Sequence, residues 1–116
     1  MPSSITSIGI DVFYGCALLQ TISLSSSIGN INTELFCSCS TLQNITLPSS
    51  ITQIKGSAFY GCRSLQKISI PSNVTTIDAS AFTSCASLHN ITIPSSVTTI
   101  GKQAFSDCYY LYTYHF

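Results

Sequence analysis

The chain has 116 residues, of which 45% are hydrophobic, enough for one domain with a buried core. Only 7% are charged, and four basic residues balance four acidic ones, which excludes the cationic surface typical of nucleic-acid binding. Serine and threonine together account for 34 residues, so hydroxyl groups rather than charges must keep the surface wet.

A repeat of 23 residues runs through the whole sequence. The columns that recur at this spacing include Phe13, Phe36, Phe59, Phe82 and Phe105; Cys16, Cys39, Cys62, Cys85 and Cys108; Leu19, Leu42, Leu65, Leu88 and Leu111. Five units start at residues 2, 25, 48, 71 and 94, and Ser25 stands where the other four begin with proline. No linker interrupts them, so we expect a single domain over residues 1–116.

The first element of each unit is a predicted strand. Ile68 and Ile70 alternate with polar neighbours, which is the pattern of a half-buried strand. Pro71 ends this strand because proline cannot donate to a sheet ladder. A short extended piece follows at residues 74–77, so the unit predicts two strand-like segments on different sides of a coil.

The remainder of the unit predicts a turn and one helical turn. The residues after the extended piece are Gly9, Asn32, Lys55, Asp78 and Gly101, most of which tolerate a left-handed backbone. In residues 81–85, Ala81, Phe82 and Cys85 share one face of a single helical turn. A unit this short cannot bury its apolar side alone, so we expect it to stack on its neighbours as a solenoid coil.

The pattern L-x-x-I-x-I-P-S-S-V-x-x-I-G-x-x-A-F-x-x-C resembles the 23-residue, Treponema-type leucine-rich repeat of BspA-like surface proteins. The third unit carries it almost letter by letter, from Pro48 through Phe59 and Cys62 to Ile70. The resemblance implies a leucine-rich-repeat-like solenoid with a parallel β-sheet on one face and short extended or helical turns on the other. It also implies cell-surface adhesion through host or extracellular matrix proteins. We expect five coils, right-handed and slightly curved, with the phenylalanines in one interior column.

The six cysteines predict a stacked thiol column rather than a disulfide framework. Residues one coil apart point in parallel, so their Cβ atoms stay farther apart than a disulfide prefers. Cys37 is the exception to the column and takes the place of Tyr14 and Tyr60 in other units. We therefore expect Cys37 to be partly exposed and to be the one candidate for a reactive thiol. The spacing Cys37-Ser38-Cys39 does not fit a zinc site.

No pattern for catalysis or for a cofactor is present. The carboxylates Asp11, Glu34, Asp78 and Asp107 mostly occupy different positions of the repeat, so they form no acid–base pair. Phosphate-binding loops and nucleophile elbows are absent from the sequence. We therefore expect a non-enzymatic chain with no cofactor, no metal, no nucleic-acid partner and no membrane insertion. The sequence shows no leader or anchor pattern, so a secreted or surface location follows from the resemblance alone.

The outward positions of the main strands are the predicted binding face. They are Thr21, Ser23, Asn44, Thr46, Lys67, Ser69, Asn90 and Thr92. The row lacks the tyrosine, tryptophan and arginine anchors of tight protein interfaces, so each module should bind weakly and gain strength from multivalency. The alternative is that these polar side chains only keep an exposed β-sheet surface hydrated.

Two further hypotheses concern the ends and a threonine patch. The first and last units carry the same apolar residues as internal ones, which predicts a longer array or self-assembly into oligomers or filaments. Tyr110, Tyr112, Tyr114 and Phe116 are the predicted end-to-end contact. A third hypothesis is that Thr75, Thr76, Thr98 and Thr99 order water, as in ice-binding solenoids.

Overall fold

The computed structural model describes residues 4–111 and 113–115, which run as stacked coils with strands on two sides. The front strands are β1 (Thr21–Ser23), β3 (Asn44–Thr46), β5 (Lys67–Ser69), β7 (Asn90–Thr92) and β9 (Thr113–His115). The back strands are β2 (Asn30–Ile31), β4 (Gln53–Ile54), β6 (Thr76–Ile77) and β8 (Thr99–Ile100). The predicted solenoid is confirmed.

Every strand pair is parallel and joins residues that are one repeat apart. On the front, Ile22 is the partner of Ile45, and Ile68 is the partner of Ile91. The register is strongly determined, because a shift by one residue would turn each of these isoleucines from the core to the solvent. The 23-residue period of the sequence is therefore the period of the coil.

The front sheet is interrupted between β3 and β5, which the sequence does not predict. β1 pairs with β3, and β5 pairs with β7 and β9, but no ladder joins β3 to β5 in the described residues. The hydrogen bond beside the break, from the Gln66 N–H to the Gln43 carbonyl, is 3.5 Å long. The equivalent bonds from Gln43 to Gln20 and from His89 to Gln66 measure 2.9 and 3.1 Å. The back sheet is continuous across the same coils, so the stack opens only at the front.

The segment that leads from the back strand to the next front strand is a series of tight turns rather than the predicted helical turn. The N–H groups of Tyr60 and Cys62 donate to the carbonyls of Ser57 and Phe59, three residues earlier, at 3.1 and 3.2 Å. The alternate N–H groups of Ser57, Phe59 and Gly61 donate to the following coil at 2.8–3.1 Å. An α-helical turn would direct successive N–H groups along its own axis. In these turns, every second N–H group instead donates to the neighbouring coil.

The left-handed backbone positions differ from those that the sequence indicates. The positive φ values lie at Asp11, Glu34, Ser57, Ser80 and Gln103, and again at Gly15, Ser38, Gly61, Ser84 and Asp107. The chain turns at Asn32, Lys55, Asp78 and Gly101 as predicted, but neither these residues nor Gly9 have a positive φ. In the second coil, the turn closed by Leu35 N–H and Asn32 C=O places Glu34 at its third position. A type II turn requires a positive φ at this third position, two residues after the predicted one.

The phenylalanine column is confirmed as the centre of the core. The rings of Phe13, Phe36, Phe59, Phe82 and Phe105 stack with centroid distances of 5.4, 5.4, 5.1 and 5.3 Å along the column. Phe36, Phe59 and Phe82 are fully buried. The isoleucine and leucine columns of both sheets close around this stack in one continuous cluster.

The predicted thiol column lies beside the phenylalanines, and all six cysteines of the chain are free thiols. The thiols of Cys39, Cys62, Cys85 and Cys108 each donate to a phenylalanine carbonyl of the preceding coil at 3.0–3.2 Å. The same carbonyl accepts an N–H from the cysteine of its own coil, as in Cys62 N–H to Phe59 C=O. Cysteine is thus small enough for this place and supplies a second donor for the carbonyls of Phe13, Phe36, Phe59 and Phe82.

Candidate interaction face

Polar side chains away from the front strands connect one coil to the next. The Thr41 hydroxyl donates to the carbonyls of Ala17 and Leu19 at 2.7 and 2.9 Å. Ser50, Ser64 and Ser96 donate in the same way, to the carbonyls of Ile28, Ser40 and Val74, at 2.6–2.8 Å. Ser25 compensates for its missing proline by donating to the Ile5 carbonyl at 2.7 Å. These hydroxyl groups have a structural role, because they join one coil to the next.

The eight side chains of the predicted binding face behave differently. All eight, from Thr21 to Thr92, are exposed, because each lies beside an inward-pointing isoleucine on its strand. Within the described residues, none of their side chains makes a hydrogen bond to another part of the chain. We call these eight residues the front row. The front row keeps its donors and acceptors for solvent or for a ligand.

A groove of about 340 Å³ opens on the front row where the sheet is interrupted. Its polar rim consists of Asn44, Thr46, Lys67, Ser69, Asn90 and Thr92. Its floor consists of Ile45, Leu47 and Ile68, which are buried. An apolar floor with a few convergent polar groups is the usual composition of a ligand site. Sequence reasoning identified the rim residues but not the groove, which lies beside the interruption between β3 and β5.

Lys67 gives the groove its only charge. The other outward positions from Thr21 to Thr92 carry hydroxyl or amide groups. The four acidic residues lie in the turns and loops away from the front strands: Asp11, Glu34, Asp78 and Asp107. The groove is therefore positive at its centre, although the chain as a whole is neutral.

The aromatic residues of the predicted end contact are only partly described. Tyr110 is 59% exposed and borders a second, shallower hollow of about 400 Å³ with Gln66, Ser87 and His89. The His89 ring nitrogen Nδ1 lies 3.2 Å from the Ser87 carbonyl. Tyr112 and Phe116 lie outside the described residues, and of Tyr114 only the backbone is described, at the centre of β9.

Cys37 is buried, and the expectation of a partly exposed, reactive thiol is wrong. Only 5% of its surface is exposed. Its column neighbours Tyr14 and Tyr60 are larger and are themselves exposed, so the short cysteine side chain lies below the surface between them. The pKa of the exposed Tyr14 hydroxyl is raised by repulsion from the negative charge of a Cys37 thiolate and by a hydrogen bond with the Cys37 side chain. Cys37 is therefore buried even though tyrosines at the same position of other units are exposed.

The described residues hold no group of three or more histidine, cysteine, aspartate or glutamate side chains arranged for a metal ion. Among the same residues, no helix has the length and apolar character to cross a bilayer.

The spacing of the strands and the stacked columns match a known family of repeats. A family description for the BspA-type leucine-rich repeat region matches residues 1–112 and counts six copies, where the 23-residue spacing gives five units. The chain belongs to the BspA-type leucine-rich repeat family. A comparison with curated proteins finds no match.

Solved structures of bacterial leucine-rich repeat proteins share this fold. A leucine-rich repeat protein of T. pallidum is 36% identical with a TM-score of 0.95, over 98% of this chain and 56% of its own. A leucine-rich cell surface protein of Faecalibacterium prausnitzii is 39% identical with a TM-score of 0.96, over 99% of this chain and 30% of its own. A Bacteroides ovatus leucine-rich repeat protein is 27% identical with a TM-score of 0.76, over 100% and 36%. This BspA-type chain thus spans about half or less of these neighbours.

Membership in this family supports a general role. BspA-type leucine-rich repeats are protein-interaction modules and are typically not enzymes. The neighbour from F. prausnitzii is described as a cell surface protein.

Proposed function

We propose that this chain is a non-enzymatic adhesion module of a cell surface, and that its front row binds the partner. The observation that carries the proposal is a continuous row of eight exposed polar side chains on the front strands, none of which is used to join one coil to the next within the described residues. Several loop hydroxyls, such as those of Thr41, Ser50 and Ser64, donate to neighbouring coils, whereas all eight front-row side chains are exposed and make no such bond within the described residues. The partner class that family resemblance suggests is a host or extracellular matrix protein.

The composition of the front row indicates a weak contact for each module. Tight protein interfaces depend on buried aromatic and arginine side chains, which the front row lacks. Adhesion through many copies on one surface would compensate, because linked modules raise the effective concentration of each other. The test must therefore present the chain in many copies.

Beads that carry the chain in many copies should be retained on plates coated with extracellular matrix proteins. A front-row variant, Asn44→Ala with Lys67→Ala and Asn90→Ala, should lose most of this retention. A matched back-sheet variant, Gln53→Ala with Thr76→Val and Thr99→Val, should keep it. Retention of the front-row variant at the level of the unaltered chain would contradict the proposal.

Self-assembly is a second candidate function, favoured by large apolar side chains that are exposed in the first coil. Ile10, Val12 and Leu18 are 62%, 55% and 95% exposed. Exposed apolar patches of this kind often mark interaction surfaces. At the position of Val12, the internal residues Leu35, Ala58 and Ala81 are fully buried, so a second copy stacked on the first coil would cover an equivalent place. Tyr110, exposed near the opposite end of the stack, fits the same contact.

Light scattering during size-exclusion chromatography tests this second function. The apparent mass should rise with protein concentration, and Leu18→Lys should suppress the rise. Ser72→Lys places the same charge at another exposed position and should leave the rise unchanged. A mass of one chain at all concentrations would refute self-assembly without affecting the adhesion proposal.

A further inference from the structure

The groove on the front row has a composition that selects among ligand classes. It combines one ammonium group, two carboxamides, three hydroxyls and a narrow apolar floor. Each amide and hydroxyl both donates and accepts hydrogen bonds, whereas the ammonium only donates. A matching ligand carries many hydroxyl groups and one negative charge.

The charge of Lys67 has no partner on the front row. Asn90 is its register partner on β7, and Asn44 lies one repeat before it on β3. Both neighbours are neutral amides, so an incoming carboxylate or sulfate meets no competing acidic side chain on these three strands. Charge-assisted hydrogen bonds of this type are shorter and stronger than neutral ones.

Other ligand classes fit the groove less well. Nucleic acid is disfavoured, since it requires several cations along a backbone and the groove supplies one. The groove also lacks aromatic and arginine side chains, which dominate the energetics of protein interfaces.

The spacing of the front row distinguishes between a peptide and a sugar chain as the ligand. Its columns repeat from strand to strand at about 4.8 Å, whereas side chains on one face of an extended peptide repeat every ~6.6 Å. A peptide that runs across the strands therefore falls out of register after about two coils. A pyranose ring spans a distance close to one strand spacing, so a chain of sugar rings stays near register with Asn44, Lys67 and Asn90.

We infer that the groove between β3, β5 and β7 binds an anionic saccharide, a sugar chain with a carboxylate or sulfate group. Lys67 meets the acidic group, Asn44 and Asn90 bond the ring hydroxyls on either side, and Thr46, Ser69 and Thr92 bond those of the second column. The inference rests on the proposed function, because it assigns a ligand class to the same face. A free polysaccharide and the glycan of a glycoprotein carry the same chemistry.

Calorimetric titration with short oligosaccharides tests the ligand class. The probes are a uronic-acid oligomer, its fully methyl-esterified neutral form, a sulfated oligomer and a sialylated oligomer, each at millimolar concentration. At least one acidic probe should bind, and for the uronic-acid oligomer, esterification should weaken binding about tenfold or more. Failure of all three acidic probes to bind, or equal binding of the acid and its ester, would overturn the inference.

Substitutions then show which side chain of the groove binds which chemical group of the ligand. Lys67→Gln should abolish the preference for acidic over neutral probes. The double variant Asn44→Ala with Asn90→Ala should weaken the binding of acidic and of neutral probes to the same extent. Lys102→Gln removes the same charge from an exposed position off the front row and should change nothing. An equal loss in Lys67→Gln and Lys102→Gln would show unspecific charge attraction and refute the site.

The adhesion assay separates the two proposals and the two sources of the sugar. Competition by the free acidic oligosaccharide supports the inference, and enzymatic removal of glycans from the coated proteins then shows whether those glycans are the natural source. If retention needs the front row but resists both treatments, the saccharide inference fails and the adhesion proposal stands. If the front-row variant is retained normally while calorimetry shows binding, the adhesion proposal fails alone.

Discussion

The front row and the turn-and-loop side of the coils use the same kinds of residue for different purposes. The Thr41 hydroxyl, beside a loop, donates to two carbonyls of the preceding coil, whereas the Thr46 hydroxyl, on β3, makes no hydrogen bond within the described residues. The loop carbonyls of Ala17 and Leu19 accept no backbone N–H in the described chain, so a hydroxyl is needed there. In β1 and β3 the ladder supplies the donors. The Thr41 hydroxyl is therefore structural because the backbone leaves its acceptor carbonyls unpaired, whereas the Thr46 hydroxyl stays free because the ladder already supplies the donors.

The largest expected effect is the difference in stability between a substitution in the core behind the turns and a substitution on the front row. Phe59→Ala removes the central ring of the aromatic stack, and we expect it to lower the free energy of unfolding by about 3–5 kcal/mol. Lys67→Ala on the front row should change it by less than about 0.5 kcal/mol. Chemical denaturation with both variants measures the contrast. A loss below about 1 kcal/mol for Phe59→Ala would show that the stack does not carry the fold.

Alkaline pH should lower the stability of the fold through the thiol column behind the turns. Burial raises the pKa of Cys39 to about 11, and burial also raises the pKa values of Cys62, Cys85 and Cys108. In the unfolded chain these thiols ionise near pH 8.5. Since the unfolded state then binds fewer protons, the stabilisation is complete below about pH 8.5 and is lost as pH rises towards the folded pKa values.

Denaturation at about pH 7 and about pH 10 measures this loss. Cys62→Ala should reduce the pH dependence because it removes one shifted thiol. Equal stability of the unaltered chain at both pH values would show that the thiol column ionises as readily when folded as when unfolded.

The smallest expected effect is the difference in stability between substitutions of Thr41 and of Thr46. Thr41→Val should destabilise the chain by about 1 kcal/mol because it leaves the loop carbonyls without their donor. Thr46→Val, an equally sized change on the front row, should leave stability within about 0.5 kcal/mol of the unaltered chain. Differential scanning calorimetry of the pair gives the comparison. Equal losses would remove the distinction between structural and free hydroxyls.

Residue periodicity alone determines the architecture of this protein. Since Phe59, Cys62 and Ile68 recur every 23 residues, each coil finds its own pattern on the next, and a parallel stack with a phenylalanine core follows. The outward residues of the front strands follow from the same alternation. These features were predictable because they depend on which side of a coil a residue faces, and a regular repeat fixes that.

The tertiary structure alone decided the features that depend on the distance between coils. The burial of Cys37 results from the size of its column neighbours, and the turn geometry results from the need to donate every second N–H to the next coil. The groove lies where β3 and β5 do not pair, although their residues keep the repeat pattern. A sequence repeat states which residues stack on one another. How closely two coils approach, and which carbonyls remain unpaired for a hydroxyl, are settled only when all the coils pack together.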